Sequence, residues 1–219
     1  MNVFDIVGPV MIGPSSSHTA GADRIGLIAR ELLSSEPVKA DILLSGSFAR
    51  TYKGHGTDKA LIAGIMGFRP DDIRIRNAPE IAAESGLEVK VHTGQIPDTH
   101  PNTARIELTD AKGHQVSVVG NSIGGGNIRI SSVNGMRVVI TGHRATLVVL
   151  HRDVPGIIAA VTVVLTGAGV NIAEFHLARL EPGGEAAMTI GIEGNVDPDL
   201  CRNLSSLPHI HAATIIEPL

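Results

Sequence analysis

Thr141-Gly142-His143-Arg144 interrupts the chain between two stretches whose element patterns differ. Downstream of it, residues 146–150 read as a strand, 155–166 as a helix, and 170–180 and 186–192 as strands joined through Glu181-Pro182-Gly183-Gly184. A helix over 198–207 and a strand over 210–216 complete the series. The order βαββαβ predicts a ferredoxin-like split sandwich with two helices on one face of the sheet. Upstream, Ile25, Ile28, Leu32 and Leu33 recur at three- and four-residue spacing, which predicts a helix over 20–34 with Thr19 as its N-cap. Residues 38–44 read as a buried strand, and Thr57-Asp58 cap a helix over 59–67. Strands follow over 87–92, 105–109 and 115–119. Strands over 128–133 and 136–140 flank Asn134-Gly135, a hairpin turn whose two central residues need positive φ. The expectation is an α+β domain over 1–142 followed by a second domain over 146–219.

Composition narrows the function. The 219 residues are 43% apolar and 18% charged, and at about 150 residues per domain they make one to two domains with a real core. Eighteen basic against 22 acidic residues and only five aromatics (four Phe, one Tyr) argue against nucleic-acid binding. The longest apolar run, 157–165, falls well short of the roughly 20 residues that span a bilayer, so no membrane partner is expected. Residues 1–9 carry no Lys or Arg and do not read as a secretory signal, so a cytoplasmic location is expected. Cys201 is the single cysteine, which excludes intrachain disulfides and any cluster held by several thiolates of this chain.

Five stretches carry chemistry. Gly13-Pro14-Ser15-Ser16-Ser17-His18-Thr19 sets hydroxyls and an imidazole ahead of a helix, where free amides suit a carboxylate; an ordinary capped loop is the alternative. Ser45-Gly46-Ser47-Phe48-Ala49-Arg50-Thr51, read as loop, is followed by Gly54-His55-Gly56-Thr57-Asp58, which places a histidine between glycines, either exposed at a cleft to move a proton or merely solvated in a loop. His100-Pro101-Asn102 and Ser122-Ile123-Gly124-Gly125-Gly126-Asn127 read as ligand loops or as tight bends. The glycines fail the dinucleotide fingerprint because Arg129 stands where its third glycine belongs, and no phosphate-loop Gly-Lys-Ser or Gly-Lys-Thr occurs. His151-Arg152-Asp153-Val154-Pro155-Gly156, between strand and helix, together with Asn171, suits a free amino acid: loop amides for its carboxylate, Asp153 or Asn171 for its ammonium. The remaining histidines show no metal-ligand spacing, so no metal site is expected.

Taken in order, Gly13-Pro14-Ser15-Ser16-Ser17-His18-Thr19, Lys53-Gly54-His55-Gly56-Thr57-Asp58, His100-Pro101-Asn102 and Ser122-Ile123-Gly124-Gly125-Gly126 resemble the β chain of the iron–sulfur L-serine dehydratases. The last 74 residues resemble an ACT domain, an amino-acid-sensing module. Residues 1 to 142 resemble the family's β domain, itself similar to the allosteric substrate-binding domain of some phosphoglycerate dehydrogenases. The resemblance implies an ammonia-lyase that removes water and then ammonia from L-serine to give pyruvate. It uses a 4Fe–4S cluster whose open iron position aids departure of the hydroxyl. With one cysteine here, the cluster falls to a separate α chain, and this chain is not active alone. The resemblance also gives His55 the role of base. Ser16, Ser17, His18, Thr19, His100 and Asn102 become substrate-binding candidates, with the 16–19 rim either gripping serine's carboxylate or meeting the α chain. His151, Asp153 and Asn171 become effector ligands at an interface between two ACT domains, which implies self-association. A stand-alone amino-acid sensor is the competing reading.

Overall fold

A computed structural model describes residues 9–194, 196, 197 and 199–219. The signal-peptide reading of residues 1–9 lies outside these except at Pro9, and Pro198 of the last expected helix lies outside them too. The chain divides into two compact units, up to Asn134 and from Gly135 to Leu219. The sequence boundary at 142 assigns residues 136–140 to the first domain, whereas by packing they count with the second unit.

The first unit is built on α1 (Ala20–Leu33), β1 (Pro37–Ser45), α2 (Gly46–His55), α3 (Thr57–Ile65), a 3-10 turn (Ile73–Asn77), α4 (Ala78–Glu84), β2 (Glu88–Thr93), β3 (Asn102–Asp110), β4 (Gln115–Gly124) and β5 (Asn127–Val133). Its strands order β2-β1-β3-β4-β5, with β1–β2 parallel and the other pairs antiparallel. The parallel pair needs a crossover, and α2, α3 and α4 supply it. Ala40, Ile42 and Leu44 of β1 and Ala104, Ile106 and Leu108 of β3 alternate onto one buried face, while Lys39 and Glu107 point to water. Ile25, Ile28 and Leu32 of α1 are buried, and the helix packs on β3, β4 and α3. A Cβ on Gly120 of β4 would stand 2.5 Å from Ile25, so the helix seats directly on backbone there.

The α1–α3 packing is closer still. A Cβ on Gly26 would stand 2.4 Å from the Leu61 carbonyl oxygen, and one on Gly64 2.0 Å from that of Asp23. These two glycines let the helix backbones touch, which sets the position of everything at the start of both helices.

The second unit contains β6 (Met136–Ile140), β7 (Thr146–Arg152), α5 (Ile157–Gly167), β8 (Asn171–Arg179), β9 (Glu185–Glu193), α6 (Leu200–Ser205) and β10 (Ile210–Ile216). From β7 onward the order is βαββαβ, and the sheet runs β10-β7-β9-β8. Ile157, Val161 and Leu165 of α5 and Leu200 and Leu204 of α6 join Leu147, Val149, Met188 and Ile190 in one apolar cluster, so both helices cover the same face. The turn ahead of β6 has Asn134 at φ 49° and Gly135 at φ 81°, the positive pair a two-residue hairpin requires.

Two expectations are corrected. Residues 46–55, read as a loop, form helix α2, and α3 begins at Thr57 rather than at residue 59. His151, read as part of a strand-to-helix loop, is the penultimate residue of β7, and α5 starts at Ile157, two residues beyond Pro155.

Candidate active site

The Gly13–Thr19 run enters α1 through a tight turn: Thr19 N–H donates to Ser15 O at 2.7 Å and Gly21 N–H to Ser16 O at 2.9 Å. Thr19 occupies the cap position, but its hydroxyl makes no capping bond. A Cβ on Gly13 would stand 2.1 Å from Thr19 Oγ1, so the glycine admits that side chain.

The second motif is organised by α2. Gly46, at φ +60°, turns the chain out of β1, and a Cβ there would meet Pro101 O at 2.3 Å; only glycine fits. Ser47 N–H donates to the same carbonyl at 2.6 Å, and Gly46 bridges Asn102. His55 is the last residue of α2, not a loop residue between glycines, and Gly56, at φ +69°, stands between α2 and α3.

The first two motifs meet ring to ring. His18 and His55 have centroids 4.8 Å apart with planes at 33°, and Phe48 packs edge-on to His18 at 5.2 Å. Burial, and then the charge of His55, hold His18's proton affinity below the ordinary imidazole value. Ser15 Oγ lies 3.3 Å from His18 Nδ1. His55 lines a cleft of about 720 Å³ with Gly13, Pro14, Thr19 and three cations, Lys53, Lys59 and Arg76.

In the first unit, several buried polar atoms lack hydrogen-bond partners among the described residues, Thr19 Oγ1 and His55 Nδ1 of the cleft lining together with His18 Nε2, both Asp23 oxygens, Thr57 Oγ1, Asn102 Oδ1 and Ser122 Oγ. A lone buried polar group costs about 1–3 kcal/mol, so a concentration of them marks a site shaped for something other than stability. Asp23 is fully buried, and desolvation pushes its carboxyl up to about 8.

The other sequence candidates fall as follows. Ser16 and Ser17 are half-buried in the turn before α1. His100 is exposed, and its Nδ1 accepts from Asn102 N–H at 3.1 Å. Neither His100 nor Asn102 lines the cleft, although their loop is latched to the start of α2. The glycine run joins the first motif instead: a Cβ on Gly21 would lie 2.2 Å from Ser122 Oγ, and Arg24 Nη1 donates to Gly126 O at 2.7 Å. All four motifs are thus tied together within the first unit. Sequence reasoning missed Asp23, Lys59 and Arg76 and gave Phe48 and Lys53 no role, although both stood within the second motif's stretches.

In the second unit, His151 is buried in β7, its Nδ1 donating to Arg152 O at 2.8 Å and its Nε2 unpartnered among the described residues. Asp153 accepts from Arg179 Nη1 at 2.8 Å and from Gly183 N–H at 3.1 Å. The Arg179 hydrogen bond holds its carboxyl below the usual range. Asn171 is exposed, with Nδ2 3.4 Å from Glu193 Oε2. The register puts it far from the other two: His151 pairs with Ala186 and so does Arg179, whereas Asn171 pairs with Glu193. Eight strand steps separate the ends of β8, about 26 Å. One chain does not bring the three together.

Residues 2–95 match the family model for the serine dehydratase beta chain. The chain is 45% identical over 215 residues to a probable L-serine dehydratase beta chain of Bacillus subtilis (strain 168), covering 98% of this chain and 97% of the relative. The chain belongs to the L-serine dehydratase beta-chain family. It is also 35% identical over 217 residues to the L-serine dehydratase beta chain of Peptoniphilus asaccharolyticus, covering 99% and 98% of the two chains. A D-3-phosphoglycerate dehydrogenase of Methanocaldococcus jannaschii is 26% identical over 206 residues, 94% of this chain but 38% of that protein. The name "beta chain" implies a partner alpha chain. Among the described residues no helix is long and apolar enough to cross a membrane, and no group of three or more His, Cys, Asp or Glu side chains could hold a metal.

Proposed function

We propose that this chain is the beta subunit of an L-serine ammonia-lyase, converting L-serine to pyruvate and ammonia together with an alpha chain. The observation that carries the reading is the ring-to-ring meeting of the first two motifs at His18 and His55, in a unit rich in unpartnered buried polar atoms. Lys53, Lys59 and Arg76 make the cleft attractive to a carboxylate. His55, at the end of α2 and lining the cleft, takes the α-proton as general base. Ser16, Ser17, His18, Thr19, His100 and Asn102 hold the substrate or the rim that meets the alpha chain.

The 4Fe–4S cluster of the proposed enzyme does not fit this chain. Its one cysteine, Cys201, is half-buried in α6, where burial pushes the thiol up and away from the thiolate that clusters need. The cluster therefore belongs to the alpha chain in this reading, and this chain supplies substrate positioning and proton handling.

The second unit is read as an ACT domain that pairs with a second copy. β8 ends the sheet order, and Phe175, Leu177 and Leu180 are exposed along and just beyond it. An antiparallel pairing of two β8 edges centred on Phe175 sets Asn171 of the second copy beside Arg179, the residue that grips Asp153. That joins the three effector candidates across two chains and explains their separation within one.

The test is reconstitution. Purified chain alone gives no pyruvate from L-serine, and adding the alpha chain anaerobically restores it. Pyruvate from a preparation free of a second polypeptide contradicts the reading. Serine binding without any alpha-chain association supports the sensor instead.

A further inference from the structure

We propose that His18 and His55 act as one imidazole pair that holds at most one proton, with His18 the member that stays neutral and positions the His55 ring when His55 accepts one. The inference deepens the lyase reading and rests on it only for its catalytic meaning. At a 4.8 Å centroid separation, two imidazolium cations repel strongly enough to split their protonations into coupled steps. The cleft opposes a second proton further. Lys53 of α2, Lys59 of α3 and Arg76 of the 3-10 turn all line it. The acids on the packed elements are Asp58 at the start of α3 and Asp23 in α1, the latter neutral over most of the range because burial holds its proton.

Which ring stays neutral follows from what surrounds each. His18 precedes α1 by two residues, at the positive end of that helix, whereas His55 stands between the negative end of α2 and the positive end of α3, whose fields oppose each other. The α1 field therefore disfavours charge on His18, and burial of that ring acts in the same sense. Phe48 is fully buried and packs edge-on against His18 at 5.2 Å, sheltering it from water. Each ring keeps one sealed nitrogen with no partner among the described residues, His18 Nε2 and His55 Nδ1, so ring-to-ring contact is what fixes their orientation. Ser15 Oγ at 3.3 Å from Nδ1 steadies the His18 ring.

The experiment is a long-range proton–nitrogen NMR titration of the full-length chain labelled at histidine. The expected result is a His55 curve with a second inflection at the lower midpoint of His18. His55→Gln then raises the His18 midpoint by about half to one pH unit, and His18→Gln removes the second inflection. Should either variant fail to fold, the wild-type inflections decide. Single independent inflections, or a His18 midpoint unmoved in H55Q, overturn the pair. The titration needs neither alpha chain nor L-serine, so its failure is distinct from failure of the lyase reading. In the reconstituted enzyme, His18→Gln lowers kcat about tenfold or more and moves the acid limb of the kcat/KM profile. A rise in KM with that limb unmoved overturns the positioning role.

Discussion

Both units depart from the ordinary rules of globular packing, and the departures that bear on function differ between them. The first hides polar groups: Thr19, Asp23, Thr57 and Ser122 are all buried with side-chain oxygens unpartnered among the described residues. The second shows apolar ones: Ile158, Val163, Phe175, Leu177 and Leu180 are exposed, Val163 at 69%. Buried unpaired polar atoms fit a place where a ligand or partner completes the bonding. Exposed aliphatic and aromatic side chains on a helix and an edge strand fit a surface that another chain covers. The difference matches the proposed division of labour, chemistry in the first unit and assembly in the second, and each departure can be tested separately.

The sharpest way to break the comparison is at the helix contact that frames the polar site. Gly64→Ala forces a methyl group to within 2.0 Å of the Asp23 carbonyl. The expected cost is about 3 kcal/mol of stability in the first unit. Chemical denaturation monitored by probes in each unit checks whether the second is spared.

A smaller effect sharpens it. Asp23 has a folded-state proton affinity raised to about 8, so between about pH 4 and 8 the folded chain keeps a proton that the unfolded chain releases. Its contribution is full below the unfolded value and is lost as pH rises towards 8, at a slope of up to about 1.4 kcal/mol per pH unit. Asp23→Asn flattens that slope and stabilises the chain at pH 8 by about 2 kcal/mol. Equilibrium unfolding across the range reads both.

The smallest effect belongs to the second unit. Phe175→Lys on β8 leaves folding within about 0.5 kcal/mol, because the side chain is already at the surface, while weakening self-association about tenfold or more. Sedimentation velocity against concentration checks it.

Much of this architecture is legible in the sequence. The spacing of Ile25, Ile28 and Leu32 sets α1, and Asn134-Gly135 sets the last hairpin of the first half, because each is a local rule obeyed locally. Helix α2 is not legible: Gly46 and Gly54 read as loop punctuation, and only Phe48 of its ten residues is buried, so no apolar stripe announces it. Helix α4 buries two alanines and is equally silent. The four motifs are visible as motifs, but their convergence depends on α1–α3 contact at Gly26 and Gly64, a tertiary fact. Asp23 reads as an acid favoured in a first helical turn, and nothing local shows that it faces inward. The separation of Asn171 from His151 emerges only from strand register.

The most direct test of the central claim is His55→Ala in the reconstituted two-chain enzyme, followed by pyruvate formation from L-serine alongside a pull-down of the alpha chain. The account predicts a loss of turnover of about 10²-fold or more with the subunits still associated. Near-normal turnover with an intact complex contradicts it.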